Sequence, residues 1–241
     1  MKWVRDSTGR FAKRPHYLPE ELDQECERVI NDYLLKKYRR ITFPVTTDDL
    51  TCLLERDVKD LDLYKDFSAD DGQIEGVTEF RLGHRPSVKI SARLTESPAL
   101  ENRLRTTLTH EFGHVHFHDH MFQVEVKPAL LFSEFSAATE TSHANRCHRD
   151  SMHSIDKKDW MEWQAGFVCG AILVPITPLI STVKDFRSRN GLTLKPIAEE
   201  SAAATDLTAE IAKTFQTSKD AARVRLLQKR ILASNTFDSL L

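Results

Sequence analysis

Cysteine is scarce and scattered in this sequence: Cys26, Cys52, Cys147 and Cys169 stand far apart, and no CxxC pair occurs. That pattern excludes a disulfide framework and fits a reducing compartment, so a cytoplasmic location is expected. Long apolar runs are missing too. The longest, around GFVCGAILVPI, is too short to cross a bilayer and is stopped by Pro175, so no membrane partner is expected. The opening stretch MKWVRDSTGRFAKRPHY has no apolar core behind its charges, which excludes a secretory signal there. No internal repeat or low-complexity tract is visible, which argues against solenoids and disordered arrays.

Strong charge of one sign is absent as well, with a net of −2 over 241 residues. What charge there is lies unevenly. Residues 1–40 and 183–241 each carry ten Lys/Arg against seven Asp/Glu, while 41–182 carries fourteen against twenty-two. An excess of three on each flank is small beside the phosphate neutralisation that DNA binding needs, and solvated helix faces account for it. With 40% hydrophobic and 29% charged residues, the composition is that of a globular chain long enough for a core without staples.

The periodicities predict a mixed α+β fold. PEELDQECERVINDYLLKKYRR (19–40) places Leu22, Cys26, Val29 or Ile30, Tyr33 and Leu34 at helical spacing, with Pro19 suited to the first turn. PVTTDDLTCLLERDV (44–58) predicts a second helix capped by Thr47 or Asp48. GQIEGVTEFRLGHRPSVKIS (72–91) predicts two strands around a Gly-His-Arg-Pro turn, part of a small, mostly antiparallel sheet of about three strands. A helix is predicted from Ser97 to His118, opened by Pro98 and carrying Leu100, Leu104 and Leu108 as its apolar stripe. Periodicity is lost over 119–156, read as an insertion or long loop. DKKDWMEWQAGFVCGAILVP (156–175) predicts the next helix, and 205–232 a helix, a turn at TSK and a helix. The resulting division is an N-terminal helical arm (1–43), a core domain (44–182) and a C-terminal helical pair (183–241).

Chemistry concentrates in TLTHEFGHVHFHDH, residues 107–120, which holds five of the ten histidines. Within it His110-Glu111-Phe112-Gly113-His114 is an HExxH motif. Histidines at i and i+4 lie on one helical face, so both imidazoles reach a single ion. Zinc accepts neutral imidazole and, in catalytic sites, takes three protein ligands and leaves one place to water. Glu111 sits beside the first ligand, where a general base for that water belongs.

Three candidates compete for the third ligand. His114 and His120 match the outer frame of HExxHxxGxxH, but Phe117 stands where that pattern has glycine. Without the glycine turn the helix continues, and six residues rotate roughly 600°, about 120° away from His114. Glu162 is a lone glutamate on an otherwise mostly apolar helix, costly there unless paired or bound to a metal. Its face carries the small residues Ala165, Gly166, Cys169 and Gly170, and opposite Gly113 such a face permits close helix approach. A plain surface glutamate at a helix start is the alternative reading of Glu162. The cluster His143, Cys147, His148 and His153 in the insertion matches no zinc-site spacing and reads as loop.

The segment RTTLTHEFGHVHFH followed by EWQAGFVCGAILVP resembles the ImmA/IrrE-like zinc metallo-endopeptidases, which pair HExxH with a downstream E-x-Q-A helix. The second motif stands here as Glu162, Gln164, Ala165, Ile172, Leu173 and Pro175. PVTTDDLTCLLE, IEGVTEF, PSVKIS and IAKTFQTSKDAARVRL resemble other parts of the family, so the likeness spans roughly 44–232. The segment between His114 and Glu162 is longer than in the family pattern, and Val168 and Cys169 replace an aromatic and an alanine. The resemblance implies a zincin-like domain, Zn2+ as cofactor, His110, His114 and Glu162 as its ligands, and Glu111 as catalytic base. It also implies a protein substrate, with helix-turn-helix repressors as the class.

An extended substrate would add to a free sheet edge near 74–91. His84, Arg85, His148 and His153 are candidates by chemistry for stabilising the oxyanion, though all are read as turn or loop residues. A second class of function stays open: a DNA- or partner-binding regulator whose TSK helix pair contacts its target and whose zinc is structural or sensory.

Overall fold

The computed structural model describes residues 1–69, 73–124, 142–148 and 159–233, with 142–148 described as backbone only. Helices and short strands alternate along these residues in a mixed α+β architecture. The chain divides into two compact units, Met1–Glu21 with Thr47–Cys169 and Leu22–Thr46 with Gly170–Leu241. This division and the 1–43, 44–182 and 183–241 partition read from the sequence cut the chain at different places.

The first unit opens with a hairpin, β1 (Lys2–Arg5) against β2 (Lys13–His16), where the sequence reading placed only a helical arm. The loop between them is held from within. Asp6, 5% exposed, accepts from the Thr8 backbone N–H at 3.0 Å and from the Phe11 N–H at 3.0 Å. Four-residue strands with mostly exposed side chains carry little hydrophobic pattern, so periodicity does not reveal them. Helix α1 (Pro19–Tyr38) follows, as predicted from its apolar stripe, and α2 spans Thr47–Glu55.

The sheet has the order β3-β5-β4-β6, with β3 at Asp60–Lys65, β4 at Ile74–Arg81, β5 at Ser87–Ser91 and β6 at Ser142–His148. The predicted pair β4–β5 is antiparallel, in the register Gly76↔Ile90 and Thr78↔Val88. Two further strands were not read from the sequence. β3 joins β5 in parallel; the alternation Asp60-Leu61-Asp62-Leu63 in DLDLYK was a strand signal that the sequence reading passed over. β6 pairs antiparallel with β4, so the stretch read as a loop contributes a strand. Side chains alternate across β4. Its Gly76, Thr78 and Phe80 face the long helix α4 (Glu101–Val124), where Phe80 stacks on Phe122 with ring centroids 4.1 Å apart. Phe11, Phe80, Met121, Phe122, Trp160 and Met161 form one buried cluster beside them.

A short helix α3 (Ala92–Thr95) and a 3-10 turn (Pro98–Leu100) lead into α4. From Arg105 to His118 every α4 residue except His116 is buried, so α4 is a central core helix rather than a surface helix with one apolar stripe. Helix α5 (Trp160–Leu173) brings Glu162 in its first turn.

The second unit gathers α1 from Leu22 onward with α6 (Ile176–Arg189), α7 (Ala202–Thr214), α8 (Lys219–Gln228) and the parallel pair β7 (Ile197–Ala198) and β8 (Leu232–Ala233). The helix–turn–helix pair appears as predicted, though it begins earlier, at Ala202. Ser201 and Ser218 cap the two helices through their hydroxyls, which accept from the Ala204 and Ala221 N–H groups. The turn runs through Gln216, whose φ is +49°. Arg225 is fully buried, and its guanidinium donates to Asp23 at 2.5 Å and to the Val174 carbonyl at 3.1 Å. Lys229 reaches the other oxygen of Asp23 at 2.6 Å. Among the described residues no single helix is long and apolar enough to cross a membrane.

Candidate metal centre

Helix periodicity puts His110, His114 and His118 on one face of α4, and the close approach of α5 sets Glu162 against that face. Glycine makes the approach possible. A Cβ on Gly113 would lie 2.9 Å from the Ala165 Cα, a contact with backbone that cannot rotate away. The small face predicted for α5 therefore acts at Ala165. It also acts at Cys169, whose sulfur accepts from the Thr109 hydroxyl at 3.3 Å. Gly166 meets nothing within 4 Å. Gly113→Ala is expected to force the helices apart, costing about 1–3 kcal/mol as overpacking does. The same shift moves Glu162 from the histidines. A melting temperature and a metal titration on this one variant check both effects together.

The three predicted ligands meet. His110 Nε2 lies 3.1 Å from Glu162 Oε2, His114 Nε2 lies 3.2 Å from Glu162 Oε1, and the two Nε2 atoms are 3.2 Å apart. The group can hold a metal ion. A tetrahedral ion with bonds of about 2.0–2.1 Å, the length zinc makes to imidazole and carboxylate, sets its ligand atoms about 3.3–3.4 Å apart. The two nitrogens are separated by about that edge, and each lies within a few tenths of it from its nearer Glu162 oxygen, so the two imidazoles and the carboxylate fit around such an ion. The histidines are 1% exposed and the Glu162 side chain 25%, which puts the open side of the cluster at the carboxylate. Burial alone would raise the pKa of Glu162. The facing His114 and His110 outweigh it and hold the group well below the usual carboxylate range.

Glu111 is not part of this triangle. It points to β4, fully buried, and Thr78 donates its hydroxyl to Oε2 at 2.5 Å. Its Oε1 has no hydrogen-bond partner among the described residues. Gly76 makes room for that oxygen, since a Cβ there would come within 2.4 Å of it. Burial pushes the Glu111 carboxyl up, against the pull of His114, His110 and the Thr78 hydroxyl. An acid held up in this way and left with one unsatisfied oxygen is a group prepared to accept a proton. Sequence reasoning missed Thr78 and Gly76. Their only signal was the alternation along β4, which does not say which helix the strand will face.

The competing candidates are elsewhere. Helix α4 runs unbroken through Phe117 to Val124, as expected without a glycine there, and carries His120 off the ligand face. His120 sets its ring edge against Trp3, centroids 6.0 Å apart, and is half-buried rather than solvent-facing. His84 and Arg85 are exposed in the β4–β5 turn, where Arg85 donates to the Arg56 carbonyl at 3.3 Å. His143, Cys147 and His148 belong to β6, whose side chains are not described, and His153 lies outside the described residues. The strands over 74–91, read as offering a free edge to an extended peptide, are β4 and β5, and both are instead paired on both sides. Among the described residues the outer strands of this sheet are β3 and β6.

His118 is a residue the sequence reading did not single out. It is fully buried, with Nδ1 3.1 Å from His114 Nδ1 and Nε2 3.0 Å from Gln164 Oε1. Its place one turn beyond His114 was the available signal. No family model matches this sequence, and a comparison with curated proteins found no match.

Proposed function

We propose that this chain is a zinc-dependent endopeptidase with a zincin-like domain, acting in the cytoplasm on a protein substrate. His110, His114 and Glu162 hold the ion and Glu111 is the base. The observation that supports this most is the pairing of a metal-sized triangle of two imidazoles and a carboxylate with a separate buried carboxylate one residue from the first histidine. The donor set, two neutral nitrogens and one oxygen without thiolate, is that of catalytic rather than structural zinc. A helix-turn-helix repressor is the substrate class implied by the ImmA/IrrE-like resemblance of the two motifs.

Zinc held there supplies Lewis-acid activation of water and of the scissile carbonyl. Glu111 takes the proton from the attacking water at its unsatisfied Oε1 and passes it to the leaving amine. Thr78, bonded to Oε2, keeps the carboxylate oriented through both transfers. A charged base without a partner for one oxygen costs stability, and that cost is what makes it a ready proton acceptor.

A DNA-binding role for the tail gains no support from its charges. Arg225 and Lys229 are taken up by Asp23, Arg189 by Glu210 and Arg223 by Glu199. Little of the basic excess is left for phosphate contacts.

The test is cleavage of an unfolded protein, such as casein, and of purified helix-turn-helix repressors by zinc-loaded chain. New fragments that vanish on chelation and return with zinc are expected. Intact substrates in every case, with zinc bound, would overturn the peptidase reading.

A further inference from the structure

Starting from Pro15, a line of four hydrogen-bonding groups runs into the metal triangle, and its direction is fixed at the outer end. A backbone carbonyl only accepts. The Pro15 oxygen therefore needs a donor, and the Gln164 side-chain amide supplies its Nε2 at 3.2 Å. With the amide turned that way, its Oε1 is the atom 3.0 Å from His118 Nε2. The reverse orientation would set two oxygens against each other. Oε1 accepts, so His118 Nε2 carries the hydrogen.

His118 is fully buried, and its two ring nitrogens face only a histidine and an amide. No carboxylate is within hydrogen-bond reach of it among the described residues, and a buried cation without one is costly. A neutral imidazole with its hydrogen on Nε2 has a lone pair on Nδ1. That lone pair faces His114 Nδ1 at 3.1 Å, so His114 donates from Nδ1. With an ion held in the triangle, the ring of His114 would be neutral, its hydrogen on Nδ1 toward His118 and its Nε2 lone pair free for the metal, which is the atom and the electronic state a metal requires.

We propose that His118 and Gln164 are positioning residues that fix the tautomer and orientation of His114 for metal binding. The relay runs from the Pro15 carbonyl through Gln164 and His118 to His114. Metal-bound histidines usually donate their second N–H to a carboxylate, a carbonyl or water. Here a second neutral histidine takes that place, and it does so without bringing another negative charge beside Glu162. The arrangement also joins ligand and support on one element. Gln164 stands two residues beyond Glu162 on α5, so the turn that delivers the carboxylate also supplies the link between Pro15 and His118. The inference rests on the metal-centre reading above for its purpose, but the hydrogen positions it assigns belong to the protein alone.

The experiment reads those hydrogens directly. Histidine-15N NMR of the wild-type chain, metal-free and after zinc addition, reports which nitrogen of each ring is protonated. The expected result is His118 as the Nε2–H tautomer in both states and His114 as the Nδ1–H tautomer with zinc. A parallel zinc titration compares His118→Phe, which keeps an aromatic ring against Trp160, with Gln164→Met and the double variant. His118→Phe is expected to weaken zinc by about 10–100-fold, as loss of a supporting partner does. Gln164→Met is expected to weaken it less. The double variant should match His118→Phe, because Gln164 acts through His118.

His118 found with its hydrogen on Nδ1, or zinc affinity unchanged in a folded His118→Phe, overturns the relay. Additive losses in the double variant overturn it as well. A wild-type chain that binds no zinc sinks the metal-centre reading instead, and the metal-free spectrum still decides the hydrogen on His118. Should the variants fail to fold, the wild-type spectra decide alone.

Discussion

Zinc-loaded protein carrying Glu111→Gln is expected to lose peptide-bond hydrolysis by about 10²–10⁴-fold, the usual contribution of a positioned base. It should keep its zinc. Glutamine has nearly the same shape, so it fills the space that Gly76 leaves open and accepts the Thr78 hydroxyl as the carboxylate does. It has no basic oxygen for the proton. Because Glu111 is outside the triangle of His110, His114 and Glu162, its loss does not touch the ligand set. Rates measured on a cleavable substrate, with bound zinc measured on the same samples, separate the two effects. Equal activity in Glu111→Gln would show that another group moves the proton.

The second large effect is expected at Glu162. Glu162→Ala removes the one anionic ligand and leaves two neutral imidazoles whose Nε2 atoms face each other at 3.2 Å. Two nitrogens on one helix do not enclose an ion, and nothing then neutralises its charge. Zinc affinity should fall by more than the roughly 10–100-fold that the loss of a supporting hydrogen bond costs. His120→Ala is the matched control. His120 sits against Trp3, off the ligand face, and its removal should leave affinity unchanged. A competition titration with a chromophoric chelator reads all three proteins. Loss of zinc in His120→Ala with retention in Glu162→Ala would reverse the assignment.

What could be read from the sequence follows from the range of the interactions involved. HExxH states its own geometry, because i and i+4 on a helix are neighbours whatever surrounds them. The exclusion of His120 is of the same kind, since Phe117 in place of glycine lets α4 continue and the rotation follows. Glu162 was legible for a different reason: a lone acid beside a run of small residues signals close packing, and Gly113 opposite Ala165 supplies it. Hidden were the contacts made across chain distance. Nothing local to Thr78 or Gly76 says that β4 will turn that face to Glu111. Nothing local to Pro15 says that its carbonyl will meet Gln164. The same holds for β6, which lies in a segment with no periodicity of its own, whereas β3 carried a legible alternation in Asp60-Leu61-Asp62-Leu63 that was passed over, only its parallel pairing with β5 being hidden. The β1–β2 hairpin escaped because its strands are short and exposed, and Asp6 holds the loop through backbone donors that no hydrophobic pattern marks.

The measurement that bears most directly on the ligand set is the zinc K-edge X-ray absorption spectrum of wild-type protein loaded with one equivalent. The account predicts a four-coordinate site with only nitrogen and oxygen neighbours at about 2.0–2.1 Å, and outer-shell scattering from two imidazoles. Sulfur at about 2.3 Å would contradict it, because that bond length belongs to a thiolate and no cysteine is in the triangle. So would a spectrum with three or more imidazoles, or a chain that takes up no zinc at all.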